Sequence, residues 1–247
     1  MTLPRFTDRI VVINGATGTI GSALAHALQR EGAQLVLFGR KADVLDRLAE
    51  TLTAALTPEE QHRIPLIQPV EFSGAAIEDY QRLAEAIEQT LGRVDILIHA
   101  MGSGGQLAPL ADSLLPKFQE TLHLNLMAPF ALTHALWPLL TAARARHATR
   151  PQVLFLTDRG TPAFGNAYTV AHAALAQLVR QWAAETEAVR INGFDPGPTH
   201  SALRQYRFPG ETQAERAHAE DLLPAALDLL ADDRRHGEIV RLQPDRV

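Results

Sequence analysis

The stretch Ile10-Val11-Val12-Ile13-Asn14-Gly15-Ala16-Thr17-Gly18-Thr19-Ile20-Gly21 decides how this chain is read. Four branched aliphatic residues give a strand signal, three glycines follow at G-x-x-G-x-x-G spacing, and a helical period begins at Ile20. A strand that turns through glycines into a helix start is a cradle for a dinucleotide pyrophosphate. A Cβ there would hold the backbone away from the phosphates, and the free N–H groups and dipole of the helix start attract negative charge. The candidate contacts are Gly15, Thr17, Gly18, Thr19, Ile20 and Gly21. The spacing differs from G-x-G-x-x-G, so the position directly after the first strand carries this reading; the alternative is a purely structural turn.

The rest of the chain repeats the same alternation. Strand signals run over Ile10 to Asn14, Gln34 to Phe38, Ile64 to Val70, Val94 to His99, Gln152 to Thr157, Arg190 to Phe194 and Glu238 to Leu242. Helical periods lie between them, over Ile20 to Glu31, Lys41 to Leu56, Ala76 to Leu91, Leu114 to Leu140, Ala167 to Glu187 and Asp221 to Ala231. Right-handed crossovers place such helices on both faces, so the expected fold is α/β: a Rossmann-type doubly wound parallel sheet of about seven strands, with its ligand crevice at the strands' carboxyl ends. No linker or repeat divides residues 1–247, which read as one domain. The polar stretch Thr199 to Glu220 has no strong period and is expected to be a substrate lid. Within it Leu203, Tyr206 and Phe208 offer apolar contacts, and Arg204 and Arg207 offer contacts to anions.

Composition sets the outer bounds. At 46% hydrophobic residues the chain can fill a sizeable core, and 23 Lys+Arg against 28 Asp+Glu give a net charge of -5. That balance makes no electrostatic case for a nucleic-acid or anionic-membrane partner. The one basic cluster, Arg144, Arg146, His147 and Arg150, reads as a solvated helix end. With no cysteine, disulfides, thiolate catalysis and thiolate metal sites are excluded, and the ten histidines show no H-E-x-x-H or comparable ligand spacing, so no metal site is expected. The start MTLPRFTDRIVV lacks the layout of a signal peptide, and no apolar run of about 18 residues occurs. A soluble, cytoplasmic protein is expected.

The end of the second strand bears on the choice of nucleotide. An acid there takes the ribose hydroxyls of NAD, but this chain reads Phe38-Gly39-Arg40-Lys41. Two cations and no carboxylate suit the extra 2′-phosphate of NADP(H), which guanidinium binds through charge-assisted hydrogen bonds, so NADP(H) is favoured over NAD(H). The alternative for Arg40 is a solvated helix start.

Taken together, these features resemble the short-chain dehydrogenase/reductase (SDR) family, in its ordinary subfamily, over nearly the whole chain. Val94-Asp95-Ile96-Leu97-Ile98-His99-Ala100-Met101-Gly102 looks like the family's fourth strand and Asn-Asn-Ala-Gly motif, of which only Gly102 survives. Leu124-Asn125-Leu126-Met127-Ala128 is similar to the helix motif that carries a structural and proton-relay asparagine, here Asn125. Asp195-Pro196-Gly197-Pro198-Thr199-His200-Ser201 looks like the Pro-Gly motif beside the nicotinamide, with Ser201 at the position of a carboxamide-binding threonine. The glycine turn is a hybrid, with Asn14 for a threonine, Thr19 for the middle glycine, and Gly18 at the spacing of the extended subfamily.

The resemblance implies reversible hydride transfer between a nicotinamide and a carbonyl or alcohol, with the proton passing through a tyrosine. Tyr168-Thr169-Val170-Ala171-His172 supplies that tyrosine but has histidine where the family's Tyr-x-x-x-Lys has lysine. Leu156-Thr157-Asp158-Arg159 puts Asp158 at the catalytic serine, or Thr157 if the register slips by one. Tyr168 and Asn125 therefore remain of the tetrad, His172 is the substitute for lysine, and Asp158 marks the vacated serine position.

A cation about 5 Å from Tyr168 at an effective dielectric of 20 is worth roughly 3 kcal/mol, or about two pKa units, so its loss raises the phenol. An ionised Asp158 acts in the same direction and cannot donate a hydrogen bond to a carbonyl. An Asp158–His172 pair would keep the imidazole cationic; otherwise His172 bonds a ribose hydroxyl and Asp158 pairs within the pocket, with Arg159 as a neighbour. The rival to an enzyme is a catalytically silent NADP(H)-binding regulator, or the inactive subunit of an assembly.

His99 either touches the cofactor or is a core histidine bonded to backbone, and Asp112 or Ser113 is the expected cap of the fourth helix. Alanines 167, 171, 173, 174 and 176 either pack against a symmetry mate, as in the family's homodimers and homotetramers, or pack inside the chain.

Overall fold

The structure is a computed structural model and describes residues 4–146, 149–160 and 163–242. Seven strands, β1 (Ile10–Asn14), β2 (Gln34–Gly39), β3 (Leu66–Pro69), β4 (Ile96–His99), β5 (Gln152–Leu156), β6 (Arg190–Asp195) and β7 (Ile239–Arg241), form one sheet in the order β3-β2-β1-β4-β5-β6-β7. Every neighbouring pair is parallel. The expected doubly wound α/β sheet is what forms.

The helices are α1 (Thr19–Arg30), α2 (Ala42–Ala54), α3 (Ile77–Leu91), α4 (Leu115–Leu122), α5 (Ala128–Ala143), α6 (Asn166–Glu185), α7 (Ala202–Arg207) and α8 (Ala219–Ala231). Both faces of the sheet are covered, which explains why all five residues of β1 are buried. Val11 and Ile13 point into the core shared with Leu24 and Leu28 of α1 and Leu222 of α8, while Ile10 and Val12 point into the core shared with Leu132 and Leu136 of α5 and Val179 of α6. This period of two lets a continuous aliphatic run serve two cores.

Several expected boundaries move for physical reasons. The Ile64 to Val70 strand shortens to Leu66–Pro69, because a capped 3-10 turn over Pro58–Arg63 delivers the chain only at Ile64 and β2 ends opposite Pro69. Proline is tolerated there because β3 is the sheet edge. The single helix expected over Leu114 to Leu140 is continuous, but it widens to a π turn over His123–Met127 between α4 and α5. By length and mean hydropathy (1.3) Leu115–Ala143 has the makings of a membrane span, yet Leu132, Leu136 and Leu140 are fully buried against the sheet. Neither Asp112 nor Ser113 caps α4, whose N-cap is Leu114 with no side-chain bond; Ser113 Oγ instead accepts from Asn166 Nδ2 at 2.6 Å.

Two surface expectations are also corrected. Arg144 and Arg146 are exposed at the end of α5, but Arg150 is half-buried, with Nη2 donating to Asp233 O at 2.6 Å and Nε 3.5 Å from the Asp233 carboxylate. His147 lies outside the described residues. The stretch expected to be an irregular loop, Thr199 to Glu220, contains α7 and a short turn over Gln213–Glu215. Its period was too short to show, since α7 has only six residues. Ala167 and Ala171 are buried inside the chain, Ala173 is exposed, and Ala174 and Ala176 are half-buried.

Candidate active site

The sheet order reverses between β1 and β4, and the crevice opens there at the carboxyl ends. β1 runs directly into Gly15 at φ +89°, where a Cβ would lie 2.4 Å from the Met101 amide nitrogen, so the turn presses directly against the chain leaving β4. A Cβ on Gly21 would lie 2.2 Å from Gly15 O, which fixes how closely α1 approaches the turn. Gly18 is less crowded: a Cβ there would still come to a tight 3.3 Å from Gly15 O, a contact the neighbour would have to ease by a few tenths of an ångström. No side chain caps α1 and no acid sits in its first turn, which leaves the helix start electropositive.

Thr17, Gly18 and Thr19 line a cavity of about 490 Å³ together with His26, His200 and His218. None of these histidines was singled out from sequence, since their spacing follows no local motif. Burial, with Arg30 nearby, lowers the pKa of His26. At the end of β2, a Cβ on Gly39 would lie 2.9 Å from the Thr17 side chain, so Arg40 follows immediately beside the glycine turn. Arg40 is exposed and 4.0 Å from the carboxylate of Glu71, a residue that arrives after β3 and that the reading of β2 alone could not supply.

The inner crevice, about 100 Å³, is lined by Ile20, Gly102, Pro196, Gly197 and Ser201, and by Thr157, Asp158, Tyr168 and His172. Tyr168 is buried on the first turn of α6, and its hydroxyl donates to Asp158 Oδ2 at 2.8 Å. Asp158 Oδ1 accepts from the Gly160 amide at 2.7 Å. The side chain that reaches the tyrosine is thus Asp158, not Thr157, whose amide still pairs with Phe194 O. Burial, then the charge and hydrogen bond of Asp158, push the Tyr168 phenol well above its ordinary range; Arg207 and Arg204 pull the other way.

His172 lies against the same ring, centroids 4.3 Å apart. Burial lowers its pKa to about 4, with the Asp158 charge opposing and Arg207 adding to the fall. Of the two alternatives for His172, the cationic Asp158–His172 pair is not made: the imidazole is neutral near pH 7 and neither ring nitrogen has a hydrogen-bond partner. Arg159, the neighbour considered for Asp158, has its Nε 3.4 Å from the Asp195 carboxylate.

Asn125 sits in the π turn, a geometry that recurs where helices meet functional loops. Its Oδ1 accepts from Ser103 N and its Nδ2 donates to Ser103 O, each at 2.8 Å. The side chain clamps the segment that contains Gly102. Ser201 lines the crevice, but its hydroxyl caps α7 by accepting from Arg204 N at 3.0 Å. His99 is turned away from the crevice. It stacks on Phe155 and shares a 2.7 Å hydrogen bond with Thr133 Oγ1, so its partner is a side-chain hydroxyl and it touches no part of the site.

A nicotinamide dinucleotide fits what is left open. Thr157 Oγ1 and both nitrogens of His172 are buried, unpartnered and on the crevice wall, where the hydroxyls and amide of a nucleotide would satisfy them. Among the described residues no three potential metal ligands gather.

A family model described as enoyl-(acyl carrier protein) reductase matches residues 15–227. The oxidoreductase YciK of Escherichia coli K12 is 29% identical over 245 residues, which span 97% of this chain and 93% of that protein. The chain belongs to the short-chain dehydrogenase/reductase family. Bovine dehydrogenase/reductase SDR family member 7B is 30% identical over 206 residues, 79% of this chain but 59% of that protein.

Among solved SDR structures, one from Shigella flexneri 2a complexed with NADP superposes with a TM-score of 0.89 at 28% identity, over 98% of this chain and 100% of that one. One from Escherichia coli CFT073 complexed with NADPH gives 0.88 at 28% identity, over 99% and 100%. A nicotinamide cofactor and an oxidoreductase lineage are thus supported for this SDR protein from both sequence and structure.

Proposed function

We propose that the protein is an NADP(H)-dependent oxidoreductase that moves hydride between the nicotinamide and a carbonyl or alcohol carbon, at a site where Asp158 and His172 stand in the places of the family's serine and lysine. One observation carries this reading: the crevice beside the glycine turn and Pro196-Gly197 contains a buried phenol, Tyr168, held protonated at neutral pH. When bound, the nicotinamide supplies or accepts the hydride. Gly15, Thr17, Gly18, Thr19, Ile20 and Gly21 would hold the pyrophosphate, Arg40 the 2′-phosphate, and Gly102, Pro196, Gly197, Ser201 and His172 the nicotinamide half.

Tyr168 gives its proton to the carbonyl oxygen as hydride arrives at the carbon. A phenol pushed upward by burial and by Asp158 is protonated near pH 7, the form that carbonyl reduction requires, although it is a weaker acid than an ordinary phenol. Asp158 holds the O–H when no substrate is present. Leu203 of α7 and Phe208 just after it line the crevice, which supports residues 199–220 as the lid, and the apolar side chains argue for a substrate with apolar groups beside its carbonyl. Solvent-facing Met127, Phe130 and Val170 on neighbouring helices support a homodimer or homotetramer. No feature of the chain calls for nucleic acid, and a cytoplasmic setting suits a pool of NADP(H).

The test is a carbonyl panel scored by NADPH oxidation. Wild-type protein should turn over at least one substrate, and Tyr168→Phe should lose about a hundredfold or more in kcat while still binding NADPH. Equal rates for the two proteins would remove Tyr168 from the chemistry. The silent nucleotide binder is favoured by one observation, that the Tyr168 proton is committed to Asp158; NADPH binding without oxidation across the panel would establish it.

A further inference from the structure

α7 brings a cation into the site from a distant part of the sequence. Arg207 is buried, and its guanidinium carbon lies 4.0 Å from the centroid of the Tyr168 ring. Nη1 donates to Gly104 O and Nη2 to Gly165 O at 3.3 Å, so the side chain ties the segment after β4 to the start of α6; Nε is buried with no partner. A guanidinium on a ring face is held by the ring's quadrupole and stays charged even when burial lowers its pKa.

Among the groups around Tyr168, Arg207 exerts the larger of the two arginine effects that favour the ionised phenol, ahead of Arg204. Asp158, from the end of β5, bonds the phenol, and Asp195, from the end of β6, is close enough to Asp158 to feel its charge. His172, from α6 itself, is neutral near pH 7. Arg204, from the preceding turn of α7, is committed to Glu211 through hydrogen bonds of 2.7 and 2.6 Å and lies over Phe208.

Resting on the reading of Tyr168 as the proton donor, we propose that Arg207 is the charge-setting residue of this site. Its guanidinium offsets the negative charge that Tyr168 and Asp158 share once the phenol has released its proton. It acts through Tyr168 and is therefore a positioning residue.

The experiment is 19F NMR of cofactor-free protein containing trifluorotyrosine, whose more acidic phenol brings the titration into a range the fold tolerates. The resonances of Tyr80, Tyr168 and Tyr206 are assigned with single Tyr→Phe variants. In Arg207→Met the Tyr168 midpoint should rise by about one pH unit or more, Arg207→Lys should titrate close to wild type, and Tyr80 should not move. The pH limb of kcat should follow the same order. Arg207→Gln serves if Arg207→Met does not fold.

An unchanged Tyr168 midpoint in the neutral variants would overturn the proposal. So would an Arg207→Lys midpoint equal to that of Arg207→Met, because the role would then be packing rather than charge. The titration needs no turnover: a shifted midpoint in a protein that oxidises no NADPH supports the role of Arg207 while removing the oxidoreductase reading beneath it.

Discussion

At the residue scale, burial decides which protonation states the protein uses. Tyr168 is kept as phenol and His172 as neutral imidazole by the same loss of solvent, although one is an acid and the other a base. His99 shows the consequence for stability. It would take up a proton near pH 6.5 when unfolded but only near pH 3 in the fold, where burial alone lowers it. Between those values the unfolded chain holds the extra proton, so stability is full above pH 6.5 and falls as pH drops toward 3. The loss should reach the order of a few kcal/mol at the acid end. Urea unfolding across that range should show His99→Gln with a shallower acid loss than wild type; parallel curves would mean that another group dominates. Tyr168, Asn125, Asp158 and the glycines were legible because each sits at a fixed offset from a strand or helix end. Glu71 was not, and Arg207 was legible only as a contact to anions in the lid, because their actual contacts join elements that only the folded sheet brings together.

At the element scale, the long strands and helices were readable from period alone, and the departures occur where hydrogen bonding rather than hydrophobicity sets the outcome. The π turn at Asn125 is one, since a widened helix leaves the apolar pattern of Leu124 and Leu126 unchanged. α7 is the other. It is too short for a period to register and is held by ion pairs: Glu211 binds Arg204 at 2.6 Å and Arg216 at 3.0 Å, with all three side chains mostly buried. Removing the carboxylate would strand two cations, a cost of about 1–3 kcal/mol at a local level. Glu211→Gln should therefore speed amide exchange across residues 202–216 while β1, β4 and β5 exchange as before. Unchanged exchange in that segment would show that the apolar contacts of Leu203 and Phe208 hold α7 by themselves.

At the scale of the whole molecule, a parallel sheet that is buried on both faces dictates the position of the site before any catalytic residue is considered. The crevice lies where the strand order reverses, and the SDR relationship supplies a chemistry for it that periodicity could not. The faces of α5 and α6 that leave Phe130 and Val170 in solvent make an assembly testable: light scattering should find a dimer or tetramer, and Val170→Glu should shift it toward monomer. A monomeric wild-type protein would end that proposal. The central claim is that this crevice binds NADP(H) through the glycine turn and Arg40, and calorimetric titration with NADPH and NADH tests it most directly. Micromolar NADPH binding, weaker NADH binding, and a loss of about tenfold or more for NADPH alone in Arg40→Ala are expected. Absence of binding by either nucleotide would contradict that claim.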